Sequence, residues 1–126
     1  MQILGTGIDL VENARIAASI EKFGDRFLHR VFTEGEIAYC APKAHPVPHY
    51  AARFAAKEAV SKAFGCGIGK QLGWRDMEVV RDDSGAPSIV LHGDGIELAA
   101  ARGVRQIFVS LTHTDHSAAA NALLVG

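Results

Sequence analysis

Ile3 to Val11 is apolar and glycine-spaced and stops at an acidic pair, Asp9 and Glu12. That pattern predicts a buried strand delivering a carboxylate to an edge or cleft. From Asn13 the period changes, with Ile16, Ile20, Phe23 and Phe27 on one face and Arg15, Ser19, Lys22 and Arg26 on another. This predicts an amphipathic helix with a basic stripe. Gly24 costs about 1 kcal/mol inside a helix, so the helix ends or bends there and resumes through His29. Thr33 with Glu36 three residues on forms a capping box for a short helix through Tyr39.

Pro42, Pro46 and Pro48 predict a loop over 41–49. The longest helical stretch follows, from His49 to Phe64, closed by Gly65. On it Ala52, Ala55, Ala56, Ala59, Val60 and Ala63 share one arc, and Arg53, Lys57, Glu58, Ser61 and Lys62 the other. The alanine face predicts close approach of whatever covers it. Phe54 falls in the polar arc, where it is expected to meet a ligand or a second subunit.

Met77–Arg81 and Pro87–His92 read as strands joined by a tight turn, Asp82-Asp83-Ser84-Gly85. Asp94 and Glu97 open a helix that runs through Arg102 to Gly103. Arg105 to Thr114 alternates, with Ile107, Val109, Leu111 and His113 on one face, and a last strand covers Ala118 to Val125. Helices and antiparallel hairpins without a βαβ repeat predict an α+β fold. Strand one is expected to pair with the C-terminal hairpin, and residues 1–126 to form one domain.

Composition narrows the function classes. At 126 residues the chain can bury one core. A net charge of −1 removes the basic excess that non-specific nucleic-acid binding needs. No stretch approaches the ~20 apolar residues of a membrane span, and the N-terminus lacks a signal-peptide pattern. A cytoplasmic protein with no membrane or nucleic-acid partner is expected. Cys40 and Cys66 form no C-x-x-C pair and read as free thiols.

Gly65-Cys66-Gly67-Ile68-Gly69-Lys70 is not a P-loop, because Phe64 stands where the first glycine belongs and Gln71 where Ser or Thr should. Its amides remain available to a phosphate. His45 and His49 have metal-site spacing, but Pro46 and Pro48 are expected to break any helix between them. There is no G-x-S-x-G elbow. His113 is either a core histidine or a site residue, and periodicity favours the core. Asp9, Glu58 and Lys62 carry two open readings. One is a Glu58–Lys62 salt bridge worth about 0.3 to 0.5 kcal/mol. The other is a Mg²⁺ site of two carboxylates completed by waters and substrate phosphates, with the lysine as a point charge.

Four segments, in order, add a resemblance. They are Gly7 to Glu12, Arg30 to Cys40, Arg53-Phe54-Ala55-Ala56-Lys57-Glu58-Ala59 with Lys62-Ala63-Phe64-Gly65, and Val109-Ser110-Leu111-Thr112-His113. The chain resembles the holo-[acyl-carrier-protein] synthases of the 4′-phosphopantetheinyl transferase family over nearly its whole length, and the Glu58–Lys62 helix is the most specific part. The resemblance implies transfer of phosphopantetheine from coenzyme A (CoA) to a serine of apo acyl carrier protein. Adenosine 3′,5′-bisphosphate leaves, and the activity supports fatty acid biosynthesis. It also implies Mg²⁺ on Asp9 and Glu58, Lys62 on a phosphate oxygen, and in-line attack by the serine with Glu58 or a water as base. It further implies a homotrimer binding CoA between subunits, with Phe54, Ser61, Gly65, the turn from Gly85 to Pro87 and His113 around the nucleotide. Arg15, Lys22 and Arg26 would dock the acidic carrier protein, weakened by Glu21 and Asp25. Two segments depart from the family pattern: Ser117 to Ala122 lacks an aromatic, and the 41–49 loop is unusually rich in proline. The alternatives are a non-catalytic carrier-protein binding module, which has no need of Asp9 and Glu58 together beside a lysine, and an unrelated CoA- or nucleotide-binding regulator, which would bind CoA without consuming it.

Overall fold

The structure is a computed structural model that describes residues 1–126. In chain order it comprises β1 (Ile3–Glu12), α1 (Asn13–Phe23), α2 (Asp25–Val31), α3 (Glu34–Cys40), α4 (Pro46–Phe64), β2 (Met77–Arg81), β3 (Pro87–Leu91), α5 (Asp94–Arg102), β4 (Gln106–His113) and β5 (Ser117–Val125). A three-stranded antiparallel sheet has the order β1-β5-β4, and β2-β3 forms a separate antiparallel pair. The α+β expectation and the pairing of strand one with the C-terminal hairpin match this topology. Asp9 lies opposite Ala120, and Gly7 opposite Ala122.

The sheet lays one face on α4. Ala118, Ala120, Ala122 and Leu124 of β5 are buried there. Gly5 and Gly7 of β1 sit directly against the carbonyls of Ala63 and Ala59, where any Cβ would collide with helix backbone. Two glycines thus let a strand and a helix touch main chain to main chain, and the next inward position on β1 is Asp9. The opposite face of the sheet is open: Ile8 and Leu10 are 71% and 70% exposed, with Phe108 at 44%.

Gly24 adopts φ 57° between α1 and α2, so the expected break is a change of helix rather than a bend. Thr33 and Glu36 make the expected capping box. The 41–49 loop is shorter than expected, because α4 begins at Pro46. Its two prolines occupy the first turn, where a helix has no use for their missing N–H groups. His49 is therefore helical, whereas His45 remains outside as the N-cap.

Buried polar groups tie the helices to β2. Lys57 is fully buried and donates to Glu36 Oε1 (2.6 Å), the Val31 carbonyl (2.7 Å) and the Trp74 carbonyl (3.1 Å). Glu36 also accepts from the amides of Thr33 and Val79. Burial pulls the Lys57 ammonium down from its ordinary pKa, and the Glu36 charge opposes that. All three ammonium protons are matched, as a buried charge requires.

Candidate active site

Helix α4 is enclosed on nearly every side. Arg53, Lys57 and Ser61, placed on its polar arc by sequence, are all buried. Between Tyr50 and Phe64 only Glu58 and Lys62 are not. A helix this deeply covered opens to solvent at two charged side chains one turn apart, and they open beside β1. Lys62 Nζ lies 3.0 Å from Asp9 Oδ1 and 3.1 Å from the Ile8 carbonyl. The lysine therefore pairs with Asp9 across the glycine contact rather than with Glu58 along its own helix. With Lys62 about half exposed the pair is a surface one, worth roughly 0–1 kcal/mol and readily exchanged for another cation.

The Glu58 carboxylate accepts no hydrogen bond from the protein. Burial, followed by the neighbouring Asp9 charge, raises its pKa, while Lys62 and Arg15 pull the other way. Two carboxylates close enough to repel each other have an arrangement that a divalent cation relieves. No group of three or more His, Cys, Asp and Glu side chains converges anywhere in the chain. Two hard oxygen donors open to water suit Mg²⁺, which keeps most of its shell as water or substrate phosphate, and do not suit a closed structural zinc centre.

The other expected site residues fall in different places. Phe54 does not wait for a partner: it is 6% exposed and packs on Trp74 at a centroid distance of 4.8 Å. The Arg15 guanidinium lies 5.6 Å from its ring centroid. Nothing in the sequence pattern links Trp74 to Phe54, because they lie on separate elements. Ser61 is closed to solvent and donates to the Glu58 carbonyl at 2.8 Å. Gly65 caps α4 in the left-handed region, φ 75°, just beyond Lys62. Lys22 and Arg26 are exposed, with Lys22 over the Phe23 ring.

His113 is a correction to the core reading. It sits exposed at the end of β4, with its ring 5.1 Å from that of His49. Around this pair lies a cationic cluster that sequence reasoning missed: Lys43, Arg53 and Arg81 stand 4.3, 4.1 and 5.7 Å from the centroid of Tyr39. Its members come from separate elements, so no spacing rule joins them. Burial lowers the His49 pKa, and His113 and the three cations lower it further. Arg81 also donates to the Gly85 carbonyl, which ties this cluster to the turn before Pro87. No hydrogen bond or ion pair links that turn or His113 to Asp9, Glu58 or Lys62. Within one chain the residues expected around a nucleotide divide into two groups.

Residues 5–120 match the family model for the 4′-phosphopantetheinyl transferase superfamily. The chain is 50% identical over 122 residues to a holo-[acyl-carrier-protein] synthase of Koribacter versatilis, covering 97% of this chain and 98% of that one. Among solved structures it is similar to the holo-[acyl-carrier-protein] synthase of Neisseria meningitidis, with TM-score 0.93, 29% identity and coverage of 99% and 100%. It is also similar to the Helicobacter pylori enzyme in complex with coenzyme A, with TM-score 0.86, 32% identity and coverage of 95% and 99%.

Proposed function

This chain belongs to the 4′-phosphopantetheinyl transferase superfamily, and from that premise we propose that it is a holo-[acyl-carrier-protein] synthase working in the cytoplasm. Residues 1–126 act as one transferase domain. The observation that carries the reading is the opening of an otherwise buried helix at Glu58 and Lys62, beside Asp9.

CoA supplies the phosphopantetheine group and apo acyl carrier protein the serine. The serine oxygen forms a bond to the β-phosphorus of the CoA diphosphate, and the bond from that phosphorus to the bridging oxygen breaks. Adenosine 3′,5′-bisphosphate leaves, and the serine proton passes to a base. Lys62 gives up its weak pairing with Asp9 and holds a phosphate oxygen. Glu58, whose carboxyl has a raised pKa and accepts no protein hydrogen bond, would receive the proton. Asp9 and Glu58 would hold Mg²⁺, which when bound neutralises charge on the diphosphate.

CoA would lie between subunits of a homotrimer. Two features support this: the exposed apolar sheet face of Ile8, Leu10 and Phe108, which a second copy would cover, and the division of the expected nucleotide residues into two groups. In that arrangement Phe54, Ser61 and Gly65 support one side of the cleft. The Gly85 to Pro87 turn and His113, with the cationic cluster at Tyr39, would provide the other and meet the CoA phosphates. Arg15, Lys22 and Arg26 would dock the acidic carrier protein.

Intact-mass analysis tests the reading. Apo acyl carrier protein incubated with this protein, CoA and Mg²⁺ should gain one phosphopantetheine arm. Unchanged carrier mass with CoA bound would instead favour a non-catalytic CoA-binding module.

A further inference from the structure

The turn between β4 and β5, Thr114 to His116, is exposed and follows His113 directly. Most of its hydrogen bonds stay local: the Thr114 amide donates to the Ser117 carbonyl (2.8 Å), and Thr114 Oγ1 accepts from the amides of His116 (3.2 Å) and Ser117 (3.1 Å). Two others tie it to the rest of the chain, and both come from Asn13. Its Nδ2 donates to the Thr114 carbonyl at 2.9 Å, and its backbone amide to the His116 carbonyl at 2.8 Å. One residue thus holds both ends of the turn, across 101 positions of sequence.

Asn13 stands where an apolar side chain would pack. It is the first residue of α1 and 5% exposed, and it continues the alternating inward positions of β1, namely Gly7, Asp9 and Val11. Its Oδ1 is buried with no hydrogen-bond partner. An unpaired buried oxygen costs stability that a leucine here would not lose. The N–H on the other side of the amide gives the asparagine its use. Turning the amide over would set oxygen against the Thr114 carbonyl, so this hydrogen bond fixes which way the group faces.

His113 is what the anchor places. Its backbone is paired with Ala118 in the sheet, and its ring meets His49 edge-on at 5.1 Å. The imidazole has no hydrogen-bond or ion-pair partner, so its nitrogens are free for a ligand. A group of this kind binds well only when the residues behind it lock its position. The chain immediately beyond His113 is locked at Asn13.

We propose that Asn13 is a positioning residue for CoA binding: through the Thr114 carbonyl it fixes the turn that aims His113 at a CoA phosphate. The inference rests on the reading of His113 as part of the nucleotide cleft and adds the residue that sets its place. Asn13 itself touches no substrate. Because it begins the helix that carries Arg15, Lys22 and Arg26, one buried side chain joins the carrier-docking face of a protomer to its nucleotide-facing turn.

A double-mutant cycle tests this. Calorimetric titrations with CoA and Mg²⁺, without carrier protein, would compare wild type, Asn13→Leu, His113→Ala and the double variant. Asn13→Ser, too short to reach the Thr114 carbonyl, serves as a second substitution. Leucine removes the donor and the unpaired oxygen together, so Asn13→Leu should unfold in urea at the wild-type midpoint or above it. Both Asn13 variants should weaken CoA binding about three- to tenfold. KM for CoA should rise in step, with KM for the carrier protein within about twofold of wild type. In the His113→Ala background, Asn13→Leu should change CoA affinity less than about 1.5-fold. CoA affinity of both Asn13 variants within about 1.5-fold of wild type, or an equal loss with and without His113, overturns the proposal. His113→Ala protein that binds CoA as wild type does would sink the reading of His113 beneath it, and the positioning role with that reading.

Discussion

Lys57→Met removes one ammonium from the buried network and keeps the length and bulk of the side chain. The Glu36 carboxylate then stays buried with only the Thr33 and Val79 amides, and the Val31 and Trp74 carbonyls lose a donor. Breaking a buried pair from one side costs about 3–5 kcal/mol, because the remaining charge has nowhere to go. A chain of this length has a total stability of roughly 6–19 kcal/mol at ~0.05–0.15 kcal/mol per residue. The loss is thus a large fraction of the whole and should lower Tm by about 11–19 °C. Equilibrium urea unfolding at fixed protomer concentration measures it, since any self-association adds a concentration-dependent term. Glu36→Gln in the Lys57→Met background neutralises the orphaned charge and should recover part of the loss. A cost below about 1 kcal/mol for Lys57→Met, or a double variant no more stable than the single, would show that an uncompensated charge does not set the penalty.

Other expectations address the site and the contacts that build it. Burial and Asp9 raise the Glu58 pKa, so the folded chain binds more protons than the unfolded one between the ordinary glutamate value and the raised one. That contribution to stability is present below the glutamate range and lost as pH rises through the raised value. Glu58→Gln should therefore raise Tm near neutral pH, match wild type in acid and abolish transfer; a neutral-pH Tm below wild type would contradict the shift. Gly7→Ala would drive a methyl into the Ala59 carbonyl and push β1 off α4, costing at least ~1–3 kcal/mol in urea unfolding and displacing Asp9. Wild-type stability in that variant would show that the backbone contact is looser than described. Burial pushes the Cys40 thiol up to about 11, whereas Cys66 is partly exposed. A thiol reagent at mildly alkaline pH should modify one cysteine in the native protein and both after denaturation.

The sequence made local devices legible. The Thr33–Glu36 capping box, the Gly24 break, the strand alternation and the Gly65 and Gly103 caps depend on neighbours within a turn or a hairpin, and all are present. What it hid depends on residues far apart in the chain. Proline rules applied to 41–49 missed that Pro46 and Pro48 could fill a helix's first turn. Helical periodicity marked Arg53, Lys57 and Ser61 as a polar arc without saying that other parts of the chain would bury it. Phe54 looked unpartnered because Trp74 is twenty residues away. At the site, Asp9, Glu58 and Lys62 were legible as chemistry, but the structure pairs Lys62 with Asp9, where sequence spacing suggested Glu58. Arg15 shared a stripe with Lys22 and Arg26 in sequence, and only the tertiary contact with Phe54 separates it from them.

Asp9 and Glu58 are expected to hold a divalent cation together against the CoA diphosphate. A crystal structure of the protein grown with CoA and Mn²⁺, with the manganese located by anomalous scattering, tests it directly. The expected result is one ion touching both carboxylates and a diphosphate oxygen, with Lys62 moved from Asp9 onto phosphate. Manganese bound elsewhere, or CoA seated with Lys62 still on Asp9 and no ion between the two acids, would contradict it.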